Sequence, residues 1–129
     1  MNRLEQDNDV ILIELGDLLN VDLQIAKELV DRRLKIMKDT MHYMILDVSN
    51  IRRVSPEAKV YLQEKEGGLK NILGAAFLAG DPVSALIANI FAKTPKEFDA
   101  KFFSSRRNAI KWILEYKKKN MKKSADENR

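Results

Sequence analysis

Apolar positions along the chain alternate between two kinds of pattern. One is a short continuous run: "VILIEL" (10–15), "HYMILDV" (42–48) and "NILGAAFLAG" (71–80) are each bounded by turn-forming or charged residues. Runs of this length, rich in β-branched residues, predict strands, and their lack of polar alternation predicts cover on both faces. "KFF" (101–103) predicts a short last strand, whose direction the sequence leaves open. "RLEQ", followed by the turn-prone "DND", suggests a short antiparallel partner at the front.

The other pattern has a spacing of three and four. Leu23, Ala26, Val30, Leu34 and Met37 recur this way between charges, which predicts an amphipathic helix with Asn20 or Asp22 as N-cap. Ser55-Pro56-Glu57 opens a second helix carrying Ala58, Tyr61 and Leu62, which gives out near Gly67-Gly68. Asp81 and Pro82 open a third over 82–93, with Val83, Leu86, Ile87, Ile90 and Phe91 apolar. "SSRRNAIKWILEYKKK" closes the chain as a fourth, with Ala109, Trp112, Ile113 and Tyr116 on its inner face. Small residues at Gly74 to Ala76 predict close packing of a helix over the middle of that strand. The order β-α-β-α-β-α-β-α with short links implies a mostly parallel sheet flanked by helices.

Composition narrows the class. The 129 residues fit one domain, and 45% hydrophobic with 33% charged residues is the profile of a folded soluble chain. With 0 Cys there is neither a disulfide framework nor thiol chemistry. No apolar run is long enough for stable membrane insertion, and the polar start "MNRLEQDNDV" lacks the features of a secretory signal. A cytoplasmic location is expected.

The pI of about 9.3 is a property of one end. Residues 117–129 hold 6 of the 23 Lys and Arg but 2 of the 19 Asp and Glu, leaving 17 of each in residues 1–116. The expected organisation is therefore a domain over 1–116 and a basic, flexible tail over 117–129. A nucleic-acid reader shows a basic stripe across its fold, with aromatics among it, so no nucleic-acid partner is expected.

The order of elements, the "ILDVSNI" strand ending in a polar turn, the "DPVSALIANIFAK" helix and "KFFSSRRNAIKWI" together resemble the STAS-like fold. The resemblance is closer to a group of small bacterial STAS-like proteins without an assigned role, and it covers nearly all of residues 8–116. It implies a single-domain α/β fold of four or five mostly parallel or mixed strands alternating with four helices. In the anti-sigma-factor antagonists that share this fold, the turn after the central strand reads Asp-Ser-Ser-Gly and a serine there accepts phosphate. Here "VSPEAK" sets Ser55 near the aspartate position, with Pro56 and Glu57 where the serines belong. The resemblance thus implies the scaffold without its phosphorylation switch. Ser55 is expected to cap its helix instead.

Ligands and partners of open α/β sheets meet the loops beyond the carboxyl ends of the strands. Those loops hold Asp47, Ser49, Asn50, Arg52, Arg53, Ser55 and Glu57, then Asp81 and Ser84, then Ser104, Ser105, Arg106 and Arg107. This small-polar rim is the expected binding surface, for a protein partner or for an anion at the helix starts. Its plain alternative is solvated surface.

Catalytic groups are sparse. His42 is the one histidine and is expected to pack as an ordinary side chain away from the rim, so no metal or cofactor is expected. The helix over 82–93 is apolar nearly all round, which calls for cover by neighbours, by a second copy in a homodimer, or by a small apolar ligand. The sequence therefore supports two readings: a non-enzymatic interaction module acting through the rim, and a carrier or sensor of an apolar or lipid-like molecule.

Overall fold

A computed structural model describes residues 2–4, 7–82 and 99–127. Its elements are β1 (Asn2–Leu4), β2 (Asp7–Glu14), β3 (Asn20–Val21), α1 (Leu23–Ile36), β4 (His42–Asp47), β5 (Arg53–Val54), α2 (Pro56–Leu62), β6 (Ile72–Leu78), β7 (Ala100–Phe103) and α3 (Arg106–Glu127). The expected helix over 82–93 lies outside the described residues, apart from Pro82.

Five strands form one sheet in the order β1-β2-β4-β6-β7. β2, β4, β6 and β7 are parallel, and β1 turns back antiparallel along β2. The last strand is therefore parallel to its neighbour, the point the sequence left open. The crossovers from β2 to β4 and from β4 to β6 each advance one strand in the same direction, and right-handed crossovers then set their helices on one face.

That face carries α1 and α2. The inner positions of the strands there, Ile11 and Ile13, Met44, Ala75 and Phe77, pack with Ala26, Met37 and Ala58. The alternate positions, Val10, Tyr43, Ile45, Ala76 and Leu78, face the other way and are covered by Ala109 and Ile113 of α3. Among the described residues, α3 is the helix that covers this face. It passes so close that a Cβ added at Gly74 would stand 2.5 Å from Tyr116 Cε1, which is the close packing expected from the small residues of β6.

Local signals account for the element ends. Asp22 Oδ1 accepts the Ile25 N–H at 2.8 Å, choosing Asp22 over Asn20 as cap. Ser55 Oγ accepts the Ala58 N–H at 3.1 Å, with Pro56 in the first turn, so the expected cap is present. Helix α2 stops at Leu62, short of the diglycine, and turns run on to Asn71. There the Gly68 N–H reaches back to the Tyr61 carbonyl at 3.0 Å, and any side chain at Gly68 would collide with the Leu62 backbone.

Two features depart from expectation. Asn20–Val21 and Arg53–Val54 pair as a small separate parallel ladder, although the sequence assigns the first to a helix start and the second to a turn. The segment from residue 117, expected as a tail, continues α3 through Glu127. Lys117 pairs with Asp9, and Asn120 Nδ2 donates to Tyr43 Oη at 3.0 Å, so the first residues of that segment are packed on the sheet.

Candidate functional site

Parallel strands end on one side of their sheet, so the loops after β2, β4, β6 and β7 gather there. Asp47 ends β4, and its Oδ1 accepts the Ser49 N–H at 2.9 Å, which bends the chain back on itself. Ile51 turns inward and is buried. The N–H groups of Arg52 and Arg53 then both donate to the Leu19 carbonyl, at 2.7 and 3.2 Å, tying this turn to the loop after β2.

Side chains add a second set of ties. Asn50 Nδ2 donates to the Gly16 carbonyl, where Gly16 holds the left-handed conformation at φ +59°. Arg52 Nη1 donates to the carbonyls of Ser49 and Ile51 at 3.0 and 3.2 Å, while its Nη2 meets Asp81 Oδ2 at 3.4 Å. The Arg52–Asp81 pair is partly exposed and so adds little stability. Its effect is geometric: it links the loop after β4 to the loop after β6.

The structure therefore joins Asp47, Ser49, Asn50, Arg52 and Asp81 of the expected rim into one hydrogen-bonded unit. Arg106, in a helical first turn without acidic residues, pairs with Glu14 at the end of β2, a neighbour the sequence did not single out. Arg53, Glu57, Ser104 and Arg107 are exposed around this unit. Ser55 belongs to the α2 cap, and the Ser105 hydroxyl plays the same part for α3 by accepting the Asn108 N–H at 3.3 Å. Ser84 lies outside the described residues. His42 is fully buried at the opposite, amino end of β4, with Nδ1 at 2.8 Å from the Thr40 carbonyl.

A second feature went unread in the sequence. Between the sheet and the α1–α2 pair lies a cavity of about 60 Å³, walled by apolar side chains from β2, β4, β6 and both helices. One charged residue lines it. Arg33 is 3% exposed, and its guanidinium donates from Nη1 to the Gly68 carbonyl at 3.0 Å and from Nη2 to the Lys70 carbonyl at 2.7 Å. Nη1 also lies 3.9 Å from Met44 Sδ, and the buried Nε has no hydrogen-bond partner among the described residues. Burial lowers the pKa of Arg33 to about 10, against an opposing influence of Tyr61, so the group is still a cation at neutral pH. The signal was present: Ala26, Val30, Arg33 and Met37 are spaced four, three and four, which places Arg33 on the buried stripe in a position that the reading above gave to Leu34.

Among the described residues no three His, Asp or Glu side chains come together as metal ligands, and no helix is long and apolar enough to cross a membrane. What the geometry defines is an α/β protein with a mostly parallel sheet, a cross-linked polar rim at the strand ends and a cationic pocket beneath its paired helices. The chain belongs to the family described as Domain of unknown function (DUF7793), whose model matches residues 4–117. No curated protein and no solved structure matches it.

Proposed function

We propose that the chain is a non-enzymatic, STAS-like interaction module of the cytoplasm that regulates a protein partner by contact at the carboxyl-end rim. The observation that carries this reading is the cross-linking of the rim. Asn50 to Gly16 and Arg52 to Asp81 hold the loops after β2, β4 and β6 as one preformed surface, flanked by the exposed Arg53. A surface ordered before binding avoids the entropy of ordering its loops on contact. The resemblance of "ILDVSNI" and its neighbours to STAS-like proteins supports the same use of the scaffold. Ser55, engaged as a cap, leaves regulation by phosphorylation at this turn without an acceptor of the usual kind.

The test is capture from cell extract by the tagged wild type in parallel with an Arg52→Glu/Arg53→Glu variant, with circular dichroism to establish that both are folded. Loss of the same captured protein in the variant is the expected result. Equal capture by both removes the rim from the account. Native mass spectrometry of the purified chain tells whether a second copy is among the partners.

A second reading, a sensor or carrier of a small molecule, is favoured by the Arg33 cavity. The site expected for such a ligand, the helix over 82–93, lies outside the described residues.

A further inference from the structure

Burying a guanidinium requires that its charge be compensated, and the usual compensation is a carboxylate. Arg33 meets none among the described residues: its partners are two backbone carbonyls and a thioether. The two carbonyls belong to the turn that links α2 to β6, so part of Arg33's role is to hold that turn. This leaves Nε–H, buried in a site whose other walls are apolar. A positive charge with a spare donor inside an apolar cavity is complementary to a small molecule with an anionic head and an apolar body.

We propose that the cavity binds a small carboxylate of acetate size, with its carboxylate on the Arg33 guanidinium and its methyl end among Leu29, Met44, Leu46 and Phe77. This deepens the small-molecule reading above and rests on it. Size sets the class. A cavity of about 60 Å³ is well below the roughly 150 Å³ that admits benzene, and butyrate is as large as benzene, so the site suits a carboxylate of acetate size. A long fatty acid would have to part the helices. The cavity shares Val30 with the outer groove between α1 and α2, which is edged by Lys27 and Lys70 and by Glu28, Asp31 and Glu66. On the far side the cavity is roofed by Val21 and Ile51, directly beneath the rim.

The experiment is a titration of the full chain, labelled at the Met methyl groups and at nitrogen, with acetate and in parallel with its uncharged near-isostere acetamide. The readouts are the Met44 methyl and the Arg33 Nε–H resonances. Saturable shifts of both with acetate, at least tenfold weaker with acetamide, are expected. Arg33→Lys should weaken the acetate response at least tenfold. Because that change also disturbs the α2–β6 turn, Leu29→Phe serves as a second variant: it fills the cavity, leaves Arg33 in place and should abolish the response. Equal shifts with acetamide overturn the carboxylate assignment while keeping a small-molecule pocket. No shift with either compound overturns both, and an acetate response that survives Leu29→Phe puts the site elsewhere.

Discussion

Adding one methyl group at Gly74 tests how the sheet and α3 fit together. The new Cβ would lie 2.5 and 2.8 Å from two carbons of the Tyr116 ring and 3.3 Å from Tyr43 Cδ1. Carbon atoms rest comfortably at about 3.5–4.0 Å, so the Tyr116 ring must retreat by about 1 Å. It is poorly placed to do so. The ring stacks on Trp112 at 5.2 Å, meets Tyr43 edge-on at 6.1 Å, and its hydroxyl accepts the Asp99 N–H at 3.2 Å. Overpacking of this kind costs about 1–3 kcal/mol, against which alanine's smaller unfolded-state entropy returns about 0.4–1 kcal/mol. The clash wins, and Gly74→Ala should destabilise the protein by about 1–2 kcal/mol. Urea unfolding measures this as a lower midpoint at unchanged slope. In a Tyr116→Ala background the obstacle is gone, and the same substitution should become neutral or slightly stabilising. A wild-type midpoint for Gly74→Ala, or a penalty that persists without the Tyr116 ring, would refute the argument.

Further outcomes follow from other contacts. Ser55→Ala removes the α2 cap and should cost about 1 kcal/mol in the same assay, while capture of a partner at the rim stays at the wild-type level. Burial raises the pKa of the Tyr43 hydroxyl, with the Asn120 hydrogen bond working the other way. The folded state therefore holds this proton more tightly than the unfolded one, and the associated stability is complete below the ordinary tyrosine value of about 10 and lost above it. The wild type should accordingly lose more unfolding free energy than Tyr43→Phe as pH rises past that value. Parallel curves for the two would show that the Tyr43 hydroxyl does not titrate differently in the folded state.

The parts of the fold that were legible in the sequence are those whose information is local. β2, β4 and β6 announce themselves as apolar runs because both their faces are covered, and Asp22 and Ser55 mark helix starts because a cap acts within three residues. The β3–β5 ladder was hidden because two residues carry no periodicity, and its partners lie more than thirty positions apart. The extension of α3 was hidden by its charge: the run of lysines looks like a solvated tail, and the contacts with Asp9 and Tyr43 come from far away in the sequence. In the rim, the carboxyl-end rule found Asn50 and Arg52, but not Gly16, the carbonyl that Asn50 meets. Arg33 was missed for another reason. A charge on an amphipathic helix is assigned to solvent by habit, and its place on the buried stripe is evident only when the spacing is followed through it.

The cover of one sheet face by α3 has a consequence for how the molecule assembles. β2, β4 and β6 can join α1 and α2 as each is made, since these elements follow one another in the chain. Through all of that time Tyr43, Ile45 and Ala76 lack the cover of Ala109 and Ile113, which have not yet been synthesised. The half-made protein is thus a layer whose apolar side chains await α3, open to chaperones and to its own copies. Emergence of α3 from the ribosome, rather than formation of the sheet, sets the moment at which this face becomes safe from aggregation.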